Sequence, residues 1–214
     1  MHAAIHGAWP AAAGRWRRAR ELNLELRIDV GEPPSERLSD ELDGLYRRLR
    51  TRGDRLHGLA WRRIDGSPFV VHYREADGEF FFYVEDAVQR RLAGYVVFNR
   101  LVEVGRRADR CLRSPHAKFD DAYQRRGLAS TVYGWMLESG LCLLSGARQS
   151  PGAHALWRSL ARRHEHGYLR LEDKVPHYLG REVAPQVFDQ LNTRMLLLGR
   201  GWTLDSLREA AGIR

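Results

Sequence analysis

Lys118-Phe-Asp-Asp-Ala-Tyr-Gln-Arg-Arg-Gly-Leu-Ala-Ser-Thr-Val-Tyr133 joins two hydrophobic periods. Before it, apolar residues alternate with period two, as strands require. After Gly127, Leu128, Thr131, Val132, Trp135 and Met136 fall on one helical face. The stretch therefore reads as strand, turn and helix start. The first amides of a helix have no intrahelical partner, and the macrodipole there favours negative charge. Gly127 lets the backbone approach a phosphate with no side chain in the way, and Ala129 keeps the next turn thin. The amides of Arg125, Arg126, Gly127, Leu128 and Ala129 are thus expected to be able to wrap a pyrophosphate, with arginine charge beside it.

Working upstream, Phe69–Arg74 and Glu79–Val84 alternate and flank Asp77-Gly78, a hairpin signal. Leu92–Val104 is expected as a third strand and part of Ala108–Phe119 as a fourth, in an antiparallel meander. Leu38, Leu42, Leu45, Tyr46 and Leu49 predict an amphipathic helix over Glu36–Arg50, capped by Ser35. Arg52–Arg63 fits either a loop or a short second helix. Leu22, Leu24, Leu26, Ile28 and Val30 alternate as a half-buried strand, and the first twenty residues are expected to be flexible. Downstream, Gly140 ends the helix. Leu141–Ser145 reads as a buried central strand, and Ser150 with Pro151 opens another helix. Gly167–Leu171 and Arg194–Leu198 are expected as late strands, Ala184–Leu191 as a helix between them, and Thr203–Ala211 as a terminal helix.

The 214 residues suffice for one packed domain. The formal net charge of +8 favours anionic partners, and all but two of the cations are arginine, Lys118 and Lys174 being the exceptions. Cys111 and Cys142 match no zinc or redox spacing, and two free thiols suit a reducing cytoplasm. No run approaches the ~18 apolar residues of a membrane span. The expectation is a soluble cytoplasmic protein with no metal.

Gln124-Arg-Arg-Gly-Leu-Ala129 fits the pattern Gln/Arg-x-x-Gly-x-Gly/Ala. It resembles the phosphate loop of the GNAT superfamily of N-acetyltransferases. Leu143–Leu160, with Gln149-Ser150 ahead of a helix bearing Trp157, is similar to the strand, loop and helix that complete the cleft in bacterial and phage-type members. The resemblance covers about residues 69–163. It implies an α+β fold: one domain over 21–214, behind a flexible 1–20, with a mixed, mostly antiparallel, splayed sheet flanked by helices. It further implies that acetyl-CoA is the co-substrate, held by Phe119, Gln124, Arg125, Arg126, Gly127, Leu128, Ala129, Ser130 and Trp157. An amine on a small molecule, a protein or an aminoacylated RNA would attack the thioester directly. Many members place a tyrosine acid in the last helix, where this chain has Trp157, and indole is no acid at neutral pH. Ser145, Tyr168, His164 and His166 are the alternatives for the acid. Asp120, Glu103, Glu85 and His116 are those for the base. The residues expected to carry the chemistry are Asp120, Ser145 and Tyr168. His164-Glu165-His166 has no further ligand at a regular spacing that would complete a zinc site. Competing expectations are a basic nucleic-acid-binding protein without catalysis, a toxin-like member that acetylates charged tRNA, and a fold that binds CoA without turnover.

Overall fold

The computed structural model describes residues 35–214. The expected flexible segment 1–20 and strand 22–30 lie outside the described residues. Helix α1 (Ser35–Arg50) forms as its leucine spacing predicts. Leu42, Leu45 and Leu49 pack on Phe81, Tyr83, Leu92, Tyr95 and Val97 of the sheet. Gly53 turns left-handed at φ +92° and stops any continuation. The 52–63 stretch is therefore neither a plain loop nor a second helix: turns lead into a short edge strand, β1 (Ala60–Arg63).

Strands β2 (Phe69–Ala76) and β3 (Glu79–Asp86) form the expected hairpin across Asp77-Gly78. Strand β4 (Arg91–Asn99) is shorter than the expected Leu92–Val104. The chain leaves the ladder at Arg100, whose N–H donates to Glu79, while the N–H of Leu101 donates to Asp109. A short helix, α2 (Arg106–Cys111), comes next without having been expected, and β5 (Leu112–Phe119) then lies within the expected Ala108–Phe119. After a 3-10 turn come α3 (Leu128–Glu138), β6 (Cys142–Leu144) and α4 (Pro151–Ala161). Strands β7 (His166–Glu172) and β8 (Val175–Gly180) pair as a hairpin, and β8 was not foreseen. The expected helix Ala184–Leu191 shrinks to α5 (Pro185–Phe188). Strand β9 (Thr193–Leu197) and α6 (Leu204–Ala211) complete the described residues.

The result is a mixed α/β fold with one open, mostly antiparallel sheet in the order β1-β2-β3-β4-β5-β6-β9-β7-β8. Helices α3 and α4 cover one face over a core that includes Val96, Phe98, Val132, Leu137, Trp157 and Leu160. On the other face lie α1 and, farther along, the cluster that joins α2 and α6. Among the described residues only the β5–β6 contact is parallel, and it lasts two residues: Leu112 opposite Cys142 and Arg113 opposite Leu143. Beyond it, Ser114–Phe119 pair with β4 alone. The sheet is therefore splayed between β5 and β6. No helix among the described residues is long and apolar enough to cross a membrane.

Candidate active site

The splay and the start of α3 lie at the two ends of one short connection. Asp120 N–H bonds the Ala93 carbonyl at 3.0 Å. That bond makes Phe119 and Gly94 a pair whose own backbone groups point away from each other. Alternation then turns the backbone of Ala117 and Phe119 toward the open edge of β5. The close pairing depends on Gly94, since a Cβ there would lie 2.4 Å from both the Lys118 carbonyl and the Phe119 ring.

Asp120 caps the following 3-10 turn, its Oδ1 accepting from Ala122 N–H at 2.9 Å. Its Oδ2 pairs with Arg91 at 3.0 Å. Both oxygens of this expected base are thus engaged. Gln124 is committed too: its Nε2 donates to the Phe119 carbonyl (3.2 Å) and to Asp121 (2.7 Å), and its N–H to the Asp121 carbonyl. It shapes the loop and offers no free amide.

From Arg125 the pattern changes. Arg125 and Gly127 both adopt positive φ, +59° and +76°. Gly127 is the N-cap residue of α3, and no side chain caps the helix. Among the described residues, the main-chain N–H groups of Arg125, Arg126, Gly127, Leu128, Ala129 and Ser130 have no hydrogen-bond acceptor; the first helical bond is Thr131 N–H to the Gly127 carbonyl at 2.9 Å. The loop from Gln124 to Gly127 is exposed, and no atom lies within 4 Å of where a Gly127 side chain would begin. Leu128 is buried and anchors the helix, while Ala129 and Ser130 are half-buried. The Arg126 guanidinium sits over the Tyr123 ring at 5.1 Å, which holds its charge beside the loop.

The remaining expected residues are placed less openly. Trp157 is 2% exposed and packs edge-on to Tyr133. Its ring belongs to the core, where it holds α4 against α3. Ser145, at 1% exposure, extends the sheet: its N–H donates to the Met195 carbonyl (2.9 Å) and its Oγ accepts from Met195 N–H (3.0 Å). Tyr168 lies opposite Met195 on β7, in the same cross-sheet row as Ser145. Burial raises its phenol above the usual range, and its ring meets Phe188 edge-on. Asp120, at the far end of β5, is not part of that row.

Two of the alternative bases are committed elsewhere. Glu85 is bound by His72 (2.6 Å) and Arg50, and Glu103 by Arg194 (3.0 Å). His116 is different. It stands on the α1 face of β5 beside the open edge, and its buried Nε2 has no partner among the described residues. Burial, with repulsion from Lys118, lowers it to about 4, against an attraction to Glu41. Glu41 was not foreseen. It reaches this edge from α1, accepting from Tyr95 Oη at 2.8 Å and pairing with Lys118 Nζ at 3.4 Å. No local signal marks it, because its partners lie 54 and 77 residues away. Glu165 pairs with Arg181 at 2.9 Å, and among the described residues no group of three ligands fits a metal.

No protein-family model matches the chain, and no curated protein matches it. Solved structures do resemble it. A chimeric spermidine N-acetyltransferase from Vibrio cholerae is 18% identical, with a TM-score of 0.33, over 57% of this chain and 68% of that one. A ribosomal-protein-S5-alanine acetyltransferase from Vibrio fischeri is 14% identical, with a TM-score of 0.35, over 58% and 64%. A GNAT superfamily phosphinothricin acetyltransferase from Sinorhizobium meliloti, in complex with acetyl-CoA, is 19% identical, with a TM-score of 0.35, over 58% and 63%. The chain thus spans slightly less than two thirds of the last two. All three neighbours are acetyltransferases; at these scores, what speaks for an activity in this chain is its own loop and splay.

Proposed function

We propose that this chain is an N-acyltransferase of the GNAT type, which moves an acyl group from a CoA thioester to an amine. The observation that carries this reading is the run of six unpartnered amides at the start of α3, next to an open strand edge. Such a run fits the diphosphate of CoA, since several N–H donors and a helix dipole face open space, with Arg125 and Arg126 in the same exposed loop. The thioester supplies the acyl group. The backbone of Ala117 and Phe119 offers strand-like bonds to an extended amide-bearing arm. One of those N–H groups can polarise the thioester carbonyl as charge develops on its oxygen.

The acceptor must attack as a neutral amine and lose a proton as the C–N bond forms. His116 is the group we assign to receive it, because its nitrogen is unpartnered, neutral at ordinary pH and adjacent to the open edge. Glu41 offsets the charge that His116 then gains. Asp120, capping a turn and paired with Arg91, serves to shape the loop. The Tyr168 phenol has no hydrogen-bond partner among the described residues and is the remaining choice for returning a proton to the departing sulfur.

A thermal-shift titration with acetyl-CoA tests the reading. At a hundred times the dissociation constant, the fold gains about 2.7 kcal/mol. Mass spectrometry of an amine pool incubated with protein and acetyl-CoA then shows a gain of one acetyl group. The absence of any shift at millimolar acetyl-CoA sinks the proposal.

A further inference from the structure

The surplus of positive charge is not spread evenly. Between Arg47 and Arg63 the chain carries seven arginines and no lysine, against one acid, Asp54. All seven arginines are exposed. Arg48 is paired with Asp54 at 3.1 Å and Arg55 is drawn to the same carboxylate, but the side chains of Arg52 and Arg63 have no hydrogen-bond or ion-pair partner among the described residues. The segment is the last turn of α1, the turns after it and the edge strand β1, so its charges are contiguous along the chain.

Register places part of it on one face. Arg63 lies opposite Val70, and Val70 opposite Glu85, which Arg50 reaches from α1. Trp61 lies opposite His72, whose ring bonds the same Glu85. Arg50, Trp61 and Arg63 therefore share the α1 face of the sheet margin. Arg62 points to the other face, over the Trp135 ring at 4.6 Å. Trp61 is 62% exposed, although burying an indole is ordinarily favourable.

We propose that this margin binds a single-stranded nucleic acid, its arginines taking phosphates and Trp61 stacking on a base. Guanidinium forks match phosphate oxygens bidentately, which a lysine-rich surface does not. An exposed indole followed by the exposed Arg62 and Arg63 is a base-stacking platform. An acidic protein would answer the arginines as well, and competition by polyglutamate tests for it. A membrane surface calls for a broader apolar face than a single tryptophan supplies. The surface makes no use of the α3 loop, so it is testable without any acyl donor, and its failure leaves the acyl-transfer reading untouched.

The test is fluorescence anisotropy of the whole chain with labelled RNA and DNA strands of about twenty nucleotides, at several salt concentrations. Both strands are expected to bind. Changing Arg52, Arg55 and Arg63 together to serine weakens binding at least tenfold. It also flattens the plot of log K against log salt by about 2, at ~0.7 per phosphate contact. Trp61→Ala weakens binding about tenfold and leaves that slope alone. A control that changes Arg106, Arg110 and Arg200 to serine stays within about twofold of the parent. Equal loss in the control, a silent Trp61→Ala, or equal competition by duplex DNA, polyglutamate or anionic vesicles would overturn the proposal. All substituted side chains are exposed, and thermal melts confirm that each variant folds.

Discussion

Helices α3 and α4 are each 11 residues long and lie side by side on one face of the sheet, yet they begin in opposite ways. At α4, Ser150 sits in extended backbone, its Oγ accepts the Ala153 N–H at 3.2 Å, and Pro151 fills the first helical position. Two features there reduce the number of open donors. At α3 the N-cap residue is Gly127 at φ +76°, ψ 2°, with no side chain to cap anything. The terminal helix α6 follows the α4 style, with a capping box between Thr203 and Ser206. A capped end is completed by its own sequence. An uncapped end with clear space before it is left for water or a ligand to complete, and here it adjoins the unpaired edge of β5. His116 gives that region a side-chain counterpart, a buried nitrogen also without a partner among the described residues.

The contrast is broken most severely by giving α3 a cap of its own with the wrong charge. Gly127→Glu places a carboxylate in the path of the diphosphate and an L side chain at positive φ. At about 1,000 times the dissociation constant, acetyl-CoA should stabilise the parent by ~4.1 kcal/mol and the variant not at all. Gly127→Ala separates the two causes, since it keeps the backbone penalty without the charge. It should lower stability by about 1 kcal/mol and retain measurable binding. Calorimetric titration of both variants decides the matter, and undiminished affinity in Gly127→Glu removes the loop from the site.

The second measurement concerns the orphan nitrogen. Burial, reinforced by Lys118, lowers His116 from 6.5 to about 4. The unfolded chain takes up this proton below pH 6.5, and the folded chain not until about pH 4. Stability is therefore whole above pH 6.5 and declines as the pH falls toward 4. The loss reaches about 3 kcal/mol at the bottom of that window, at ~1.36 kcal/mol per unit. His116→Gln removes this part of the pH dependence, so urea midpoints at pH 7 and pH 4.5 should draw closer together. Removing the ammonium with Lys118→Met relieves a repulsion, raises the lower edge of that window and shrinks the loss. An unchanged pH profile in His116→Gln would mean that the imidazole already has a partner in the folded chain.

The same division between local and distant causes explains what could be read from the sequence. The start of α3, the cap of α4 and the short buried run of β6 are set by neighbours within a few residues, and all were legible. Helix α2 was not, because Asp109 within it is held by Arg100 and by the N–H of Leu101 from a separate turn. Strand β8 contains Pro176 and is completed on its outer side by Arg214, 38 positions away, through Tyr178 N–H and the Pro176 carbonyl. Leu92–Val104 looked like one strand because its apolar pattern continues past the point where Arg100 is drawn off to Glu79 and Asp109. In the site, the backbone cradle could be read from Gly127 and its surroundings. The α1-face cluster could not, since Glu41 reads as an ordinary polar position on a helix until Tyr95 and Lys118 are brought to it.

The smallest effect sharpens the comparison from the capped side. Ser150→Ala leaves α4 without the acceptor for Ala153 N–H, and such losses cost about 1 kcal/mol of stability. Yet Pro151 still occupies the first turn and leaves fewer bare amides there than at the start of α3, so they should not become an anion site. Acetyl-CoA affinity is expected to stay within about twofold of the parent, while the urea midpoint falls. Binding weakened in proportion to stability would show that the α4 end takes part in holding the ligand. The two helix starts would then be halves of one site, and the contrast drawn from their caps would fail.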